Sequence, residues 1–160
     1  MPDRPRPSLR QPAVLLATWF GAGYLPLAPG TWGSLAALPF AWGLTAWGGR
    51  PALAAASLLV FAVGWWAAGR YVRLSGQADP GSVVIDEVVG QWLVLLAAAP
   101  DLLTYALGFL LFRLFDIVKP WPVSWADRRV GGGLGVMFDD VLAGIYGLIV
   151  MVLLRRMEIL

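Results

Sequence analysis

The residues best suited to chemistry in this chain are five carboxylates that lie within or beside strongly apolar segments. They form two adjacent pairs and one single residue: Asp86, Glu87, Asp116, Asp139 and Asp140. A carboxylate among apolar groups costs free energy unless a cation compensates its charge. The sequence has no cysteine and no histidine, which excludes thiolate and imidazole metal sites and serine–histidine–aspartate triads. Any metal must therefore bind oxygen ligands, which favours Mg²⁺, Mn²⁺ or Ca²⁺, and a set of three to five carboxylates suits Mg²⁺. The same five residues are the candidate metal-binding and acid–base groups.

Two cations accompany the single acid Asp116. Arg113 and Lys119 lie three residues before and after it, on or beside the same helical face if the helix continues. Both are candidate ligands for the negative charge of a phosphate. The alternative is a structural ion pair of Asp116 with Arg113 or Lys119, and the spacing alone leaves both interpretations open.

The stretch of residues 113–140 carries 8 of the 22 charged residues of the chain. For the acids at 139–140, the structural alternative is pairing with the arginines at 128–129. The charges at 127–129 are interpreted as a solvated turn near lipid headgroups. Ionisable groups within membrane segments are functional by default, so a functional interpretation is preferred for the five acids as a set.

The composition is that of an integral membrane protein. Hydrophobic residues make up 59% of the 160 residues and charged residues 14%, against ~45–50% and ~25% in soluble domains. Nine tryptophans agree with this, because tryptophan is enriched at membrane–water interfaces, where Trp121 and Trp125 are expected to lie. The basic residues are scattered without forming a basic face, so a nucleic-acid partner is not expected. Nothing in the sequence indicates an obligate protein partner.

Prolines, glycines and charges divide the apolar sequence into segments. Residues 1–12 are predicted to be a flexible Pro/Arg-rich arm and residues 13–160 a single helical domain. The expected fold class is an all-α, membrane-embedded bundle of about six helices. The predicted helices are a short interfacial or re-entrant segment at 13–25 and longer segments at 33–47, 52–69, 82–99, 102–118 and 136–154.

A Gly/Pro-rich loop at residues 21–34 precedes the second of these helices. Thr31 is a candidate N-cap, and Thr31 and Ser34 together are candidate phosphate-binding residues. Free N–H groups at a helix N-terminus favour anions, and glycines allow a phosphate to come close. The simpler interpretation is a turn with a cap, which residue types alone would favour.

Alternating the direction of the segments predicts one functional face. With the N-terminus on the cytoplasmic side by the positive-inside rule, the five acids and the 21–34 loop all fall on that side. The arginines at 155–156 do not fit, since the alternation leaves them on the opposite side. Snorkelling or a short, tilted last helix is the explanation offered for them.

Four motifs in order resemble the phosphatidylglycerophosphatase A family. They are LPLAPGTWGSL at 25–35, IDEVVG at 85–90, FRLFDIVKPWP at 112–122 and GVMFDDVLAG at 135–144. The resemblance implies a Mg²⁺-dependent, multi-pass enzyme of the bacterial inner membrane with its active site on the cytoplasmic side. The reaction it implies is hydrolysis of the terminal phosphate of phosphatidylglycerophosphate, giving phosphatidylglycerol and phosphate. Attack by a metal-bound or carboxylate-oriented water is the favoured mechanism, and an aspartyl-phosphate intermediate is the less favoured alternative.

Two functions of other classes were weighed against this one. An ion- or proton-coupled transporter would use the intramembrane acids as a relay and predicts acids spread through the membrane depth or an inverted repeat. A non-catalytic membrane scaffold would use them as structural ion pairs. It predicts tolerance of paired neutral substitutions and no release of phosphate.

Overall fold

The computed structural model describes residues 6–159, and within that range the chain is entirely helical, without a strand. This confirms the predicted all-α class. A 3₁₀ turn at Ala22–Tyr24 follows the first helix. The six α-helices are α1 (Pro12–Ala17), α2 (Pro29–Ser75), α3 (Ile85–Leu95), α4 (Leu102–Val118), α5 (Val123–Arg129) and α6 (Gly132–Arg156).

Helix α2 contains the two segments predicted at 33–47 and 52–69, with a break between them. The backbone leaves helical geometry at Gly48 (φ −139°, ψ 15°) and Gly49 (φ 67°, ψ −163°). Glycine is the residue that adopts the left-handed conformation of Gly49 without strain. Pro51 follows in the first turn of the second segment, where its missing N–H is not needed. The predicted interruption at 48–51 is therefore present as a break within one long helix.

The N-terminal segment predicted as a helix at 13–25 is much shorter. Helix α1 ends at Ala17, and the backbone then turns left-handed at Trp19 (φ 46°), Phe20 (φ 58°) and Gly21 (φ 95°). This turn buries Trp19, whose ring packs edge-on against Trp92 of α3 at 5.8 Å between centroids. Burial of the Trp19 side chain therefore stabilises the turn more than further helical residues would stabilise α1.

The predicted N-terminal arm falls partly outside the described residues, which begin at Arg6. The Arg6 guanidinium donates a hydrogen bond to the Tyr24 carbonyl at 3.1 Å and lies over the Tyr24 ring at 5.3 Å. Residues 6–11 thus contact the 3₁₀ turn that follows α1.

Helix α3 lies at the centre of the bundle, between α2, α4 and α6. It is shorter than the predicted 82–99 segment, and Ile85, Val88 and Val89 are fully or almost fully buried. At Gly90 it crosses α6 at Gly144 in backbone contact, because a Cβ atom at Gly144 would lie 2.6 Å from the Gly90 carbonyl oxygen. The small residues bring the two helix axes close together.

Two elements of the C-terminal third differ from the prediction. The linker expected at 119–135 contains the short helix α5, and α6 begins at Gly132, before the predicted start at 136. Asp139 and Asp140 therefore lie two turns inside α6 instead of at its opening. Pro120 and Pro122 precede α5, and Pro122 takes its N-cap position, where proline is well tolerated.

Much of the helical surface is apolar. Within the described residues, α2 and α6 are each long and apolar enough to cross a membrane, and less than half of their most apolar stretches is buried in the protein. Leu58 (74% exposed) and Ile117 (70% exposed) are examples of large apolar side chains on the outer surface.

Candidate active site

The five predicted acids meet at one cavity of about 350 Å³. They reach it from three helices: the first turn of α3, the last turn of α4 and the N-terminal half of α6. The convergence follows from chain direction, since α4 runs towards this end of the bundle while α3 and α6 start there. The acids that line the cavity are Asp86, Glu87, Asp116, Asp139 and Asp140.

Three of these acids form the tightest cluster. One oxygen from each of Asp86, Glu87 and Asp140 lies within 4.8 Å of the others. Asp86 and Asp140 are buried, at 8% and 3% exposure, and the Glu87 backbone N–H donates to Asp86 Oδ1 at 3.0 Å. The crossing of α3 and α6 sets this geometry, because Gly90 follows Asp86 by one turn.

Two cations hold the remaining acids of the cavity. Arg113 Nη1 donates to Asp116 Oδ2 at 2.6 Å, and Lys119 Nζ donates to Asp139 Oδ2 at 2.8 Å and also to Asp127. The pairing of Asp116 with Arg113 was one of the alternatives left open by the sequence.

Asp139 does not form the ion pair with the arginines at 128–129 that was the structural alternative to a functional role. Its ion pair is with Lys119, and neither Arg128 nor Arg129 forms an ion pair with a carboxylate in the described part of the chain. Burial lowers the pKa of Lys119, but the hydrogen bonds to Asp127 and Asp139 raise it by more, so the net pKa lies above its usual range. Lys119 is therefore positively charged beside the cavity.

Gly30, in the 21–34 loop, lies against one of the five acids, Glu87. A Cβ atom there would overlap Glu87 Oε1 and lie 2.9 Å from Arg113 Nη1. The predicted cap at Thr31 was wrong: Ala28 occupies the N-cap position of α2, without a side-chain hydrogen bond, and Pro29 is the first helical residue. Because α2 begins at Pro29, Thr31 lies within its first turn.

The two hydroxyl residues of this loop do not line the acid cavity. The Ser34 hydroxyl is buried and donates to the Gly30 carbonyl at 2.8 Å, within α2. Thr31 is partly exposed, and its backbone N–H donates to the Ala28 carbonyl. A phosphate contact by either residue stays a prediction.

A family model described as phosphatidylglycerophosphatase A matches residues 15–155, almost the whole described chain. The chain belongs to the phosphatidylglycerophosphatase A family. This confirms the resemblance carried by the four motifs and makes the chain a member of an enzyme family. All five acids, Arg113 and Lys119 fall within the matched residues.

Three curated relatives cover most of the chain. It is 40% identical over 141 residues to Phosphatidylglycerophosphatase A of Escherichia coli, covering 88% of this chain and 81% of that protein. It is 42% identical over 145 residues to Phosphatidylglycerophosphatase A of Haemophilus influenzae, covering 89% and 88%. A protein of Bacteroides thetaiotaomicron, provisionally named a phosphatidylinositol-3-phosphatase, is 42% identical over 155 residues, covering 89% and 92%. No solved structure matches the chain significantly.

For this member of the phosphatidylglycerophosphatase A family, the acid cluster fits a divalent metal. Glu87 Oε2 and Asp140 Oδ2 are buried, and no donor among residues 6–159 hydrogen-bonds to them. Buried carboxylate oxygens without a donor are costly, and a cation bound between them would remove that cost. The all-oxygen donor set of Asp86, Glu87 and Asp140 is the type that Mg²⁺ prefers.

The structure also brings residues to the cavity that the sequence interpretation placed elsewhere. Asp127 and Arg128, interpreted as a solvated turn, line the cavity from α5, and Asp79 lines it from the loop before α3. The seven residues between Lys119 and Asp127 gave no periodic signal, because a proline-containing turn lies between the two positions. In the sequence, only the opposite charges of Lys119 and Asp127 on either side of a short linker indicated that the two residues could pair.

Proposed function

We propose that this chain is a Mg²⁺-dependent phosphatidylglycerophosphatase, which hydrolyses the terminal phosphomonoester of phosphatidylglycerophosphate to phosphatidylglycerol and phosphate. Membership of the family and the names of two relatives support this function. The observation that carries it in the structure is the convergence of Asp86, Glu87 and Asp140 at the wall of a cavity with basic side chains beside it. Such a site suits a doubly charged phosphate and a divalent cation.

Asp86, Glu87 and Asp140 would hold the Mg²⁺ ion. When bound, it supplies charge neutralisation of the phosphate and polarisation of the P–O bond. The chain's own cations act on the same group: Lys119 borders the cavity, and Arg113 lies behind Asp116. Both would donate hydrogen bonds to phosphate oxygens. The same role is proposed for Thr31, and Ser34 would share it only if its hydroxyl left the Gly30 carbonyl, to which it donates.

In the proposed step a water oxygen forms a bond to phosphorus while the bond to the glycerol oxygen breaks. The attacking water loses a proton to a cavity carboxylate, for which Asp139 is assigned because it lies next to Asp140 and faces the cavity. The departing glycerol oxygen takes up that proton from Asp139 as its bond to phosphorus breaks, which yields the free hydroxyl of phosphatidylglycerol. Asp116, fixed by Arg113 at 2.6 Å, would orient the water and the phosphate.

The enzyme would be a multi-pass protein of the bacterial inner membrane, with the acid cavity on the cytoplasmic side. The apolar length of α2 and α6 and the exposed apolar surface support insertion into a bilayer. Arg70 and Arg73 support the orientation, because they lie at the end of α2 that leads into α3 and the acids. The lipid tails would stay in the bilayer while the headgroup enters the cavity.

A phosphorylated inositol headgroup is the second candidate substrate, because one relative carries that name at similar identity. Both substrates share a phosphomonoester on a lipid headgroup. The transporter alternative is less favoured by the arrangement of the acids, which gather at one cavity instead of lying along a path.

The test is phosphate release in detergent by the wild type, with Mg²⁺ and with EDTA, from phosphatidylglycerophosphate and from phosphatidylinositol 3-phosphate. The expected result is Mg²⁺-dependent release, faster from phosphatidylglycerophosphate, and its loss in Asp139→Asn and Asp140→Asn. Glu158→Gln, an exposed acid near the C-terminus, is the matched control and should keep full activity. A folded wild type that releases no phosphate from either lipid would contradict the proposal.

A further inference from the structure

A second cavity, of about 320 Å³, lies at the end of the bundle away from the acids. Its walls come from the break in α2, the end of α3 and the last turns of α6. The residues that line it are Arg50, Leu96, Ala97, Leu148, Val152, Arg155 and Arg156. Three arginines from two distant parts of the chain thus share one cavity.

This cavity and the acid cavity are separated by much of the length of the bundle. Asp140 and Arg155 are both on α6, fifteen residues apart, which corresponds to about 22 Å at 1.5 Å per residue. Along α3, Asp86 lies in the first turn and Leu96 follows the last. A membrane protein with its acids near one interface therefore has this cavity towards the other.

The three arginines have no carboxylate partner in the part of the chain that the structure describes. Arg155 is instead oriented by a hydrogen bond from its Nη1 to the Ala97 carbonyl, at 2.8 Å. The acids of the neighbouring segments do not line the cavity: the Asp101 side chain caps α4 by accepting from Thr104, and Glu158 is exposed beyond the end of α6. Among the described residues, no carboxylate therefore compensates the positive charge of this cavity.

Apolar side chains complete the cavity and continue beyond it. Leu96, Leu148 and Val152 form its floor, and Ile149 (50% exposed) and Leu153 (52% exposed) extend an apolar surface along α6. An arginine cluster above an apolar surface matches a phosphate joined to acyl chains better than it matches a free inorganic ion. Arginine also suits phosphate geometrically, because its planar guanidinium donates two parallel hydrogen bonds.

We infer that this cavity binds the headgroup phosphate of an anionic phospholipid, with an acyl chain along Leu148 and Val152. The inference rests on the membrane insertion proposed above, but not on the hydrolysis. It also accounts for the arginines that run against the positive-inside trend at the end of α6. An anionic lipid bound at this cavity would compensate the positive charge of the arginines, which the membrane interface on that side would not otherwise favour.

The test uses the purified full chain in a nonionic detergent and counts retained lipid by native mass spectrometry. Phosphatidylserine is the anionic probe, because it is neither the proposed substrate nor the proposed product, and phosphatidylcholine with the same acyl chains is the neutral probe. Wild type is expected to retain phosphatidylserine about tenfold more strongly than phosphatidylcholine. Equal retention of the two lipids would overturn the inference.

Substitutions of the arginines test whether phosphatidylserine binds at this cavity. Arg50→Gln with Arg156→Gln should abolish the preference while keeping the Arg155 hydrogen bond, and the double lysine variant at the same positions should retain most of it. Arg129→Gln, on an exposed arginine of α5 outside this cavity, is the control for loss of a positive charge elsewhere and should bind like wild type. Loss of the preference in the control, or its persistence in the double glutamine variant, would place the lipid elsewhere.

Two further measurements separate this site from the acid cavity. Asp140→Asn should lose phosphate release and keep the phosphatidylserine preference, whereas the double glutamine variant should do the opposite. If the wild type released no phosphate but kept the preference, the lipid site would stand and the proposed function would fall. Displacement of phosphatidylserine by millimolar inorganic phosphate alone would identify the site as one for free phosphate and overturn the lipid assignment.

Discussion

Gly90 of α3 and Gly144 of α6 are in backbone contact, and each lies one turn after an acid of the cluster. A Cβ atom at Gly144 would meet the Gly90 carbonyl oxygen at 2.6 Å and its Cα at 2.9 Å. Both are backbone atoms, so an added methyl group must push the helices apart and carry Asp86 away from Asp140. The geometry of the acid cluster thus depends on two glycines that carry no side chain and are not members of the cluster.

Gly144→Ala is expected to destabilise the protein by about 1–3 kcal/mol, the usual cost of overpacking, and to lower activity with it. Gly131→Ala is the matched control for stability alone, because it lines the acid cavity but no atom lies within 4 Å of a Cβ at that position and its φ of −108° suits alanine. Thermal unfolding in detergent and phosphate release measure the two effects. Wild-type stability in Gly144→Ala would mean that the crossing is looser than described.

Gly30→Ala is expected to separate activity from stability. Its new Cβ would overlap the ends of two flexible side chains, Glu87 and Arg113, which can move without disturbing the backbone. Misplacing a metal-binding carboxylate by about 1 Å can cost roughly 10²-fold in rate, so kcat should fall between about tenfold and a hundredfold. The melting temperature should change little.

The control for Gly30 is Gly43→Ala, in the same helix, where no atom lies within 4 Å of the added Cβ. It should keep full activity and gain up to about 1 kcal/mol in stability from the higher helix propensity of alanine. Full activity in Gly30→Ala would show that Glu87 works equally well when displaced from this position.

Mg²⁺ is expected to raise the melting temperature of the wild type in the absence of any substrate. A ligand that binds only the folded state stabilises it by about 2.7 kcal/mol at a hundred times its dissociation constant. Asp140→Asn should lose this Mg²⁺-dependent shift. Without metal the variant should be at least as stable as wild type, since Asp140 Oδ2 is buried without a donor among the described residues.

Glu158→Gln serves as the control for the metal experiment and should keep the full shift. Potassium chloride at equal ionic strength should have no comparable effect on either protein. An equal Mg²⁺ shift in wild type and Asp140→Asn would assign the metal to other ligands or to the surface.

The convergence of the acids was predictable because charges in a strongly apolar chain mark the ends of helices. Once Asp86 begins one helix and Asp116 ends the next, antiparallel packing brings them to the same level. The break at residues 48–51 was predictable for a similar local reason, since glycine and proline there disfavour a continuous helix.

What the sequence did not reveal depends on contacts between distant residues. Helix α1 stops early because Trp19 packs against Trp92 of α3, 73 positions along the chain. Helix propensity carries no information about such a partner. Asp127 reaches Lys119 only because α5 folds back beside α6, and a helix of seven residues has little periodicity from which to predict it.

Replacing Lys119 is expected to lower activity more than replacing Asp127, one of its two carboxylate partners. Lys119→Met removes the cation beside the cavity and leaves Asp139 without its partner at 2.8 Å, so kcat/KM should fall by roughly 10²-fold. Asp127→Asn keeps the lysine and its contact with Asp139, and it should lose less than about tenfold. Comparable losses in the two variants would mean that Lys119 acts mainly by holding α5 in place.

Ser34→Ala tests the least supported of the proposed phosphate ligands. The Ser34 hydroxyl is buried and donates to the Gly30 carbonyl at 2.8 Å, so it is committed to its own helix. Its removal should leave KM within about threefold of wild type, because a helix carbonyl that loses one side-chain donor keeps its backbone bond. Thr31→Ala, at a partly exposed position three residues earlier, is the informative comparison. A tenfold rise in KM for Ser34→Ala alone would show that substrate binding rotates this hydroxyl out of the helix and towards the phosphate.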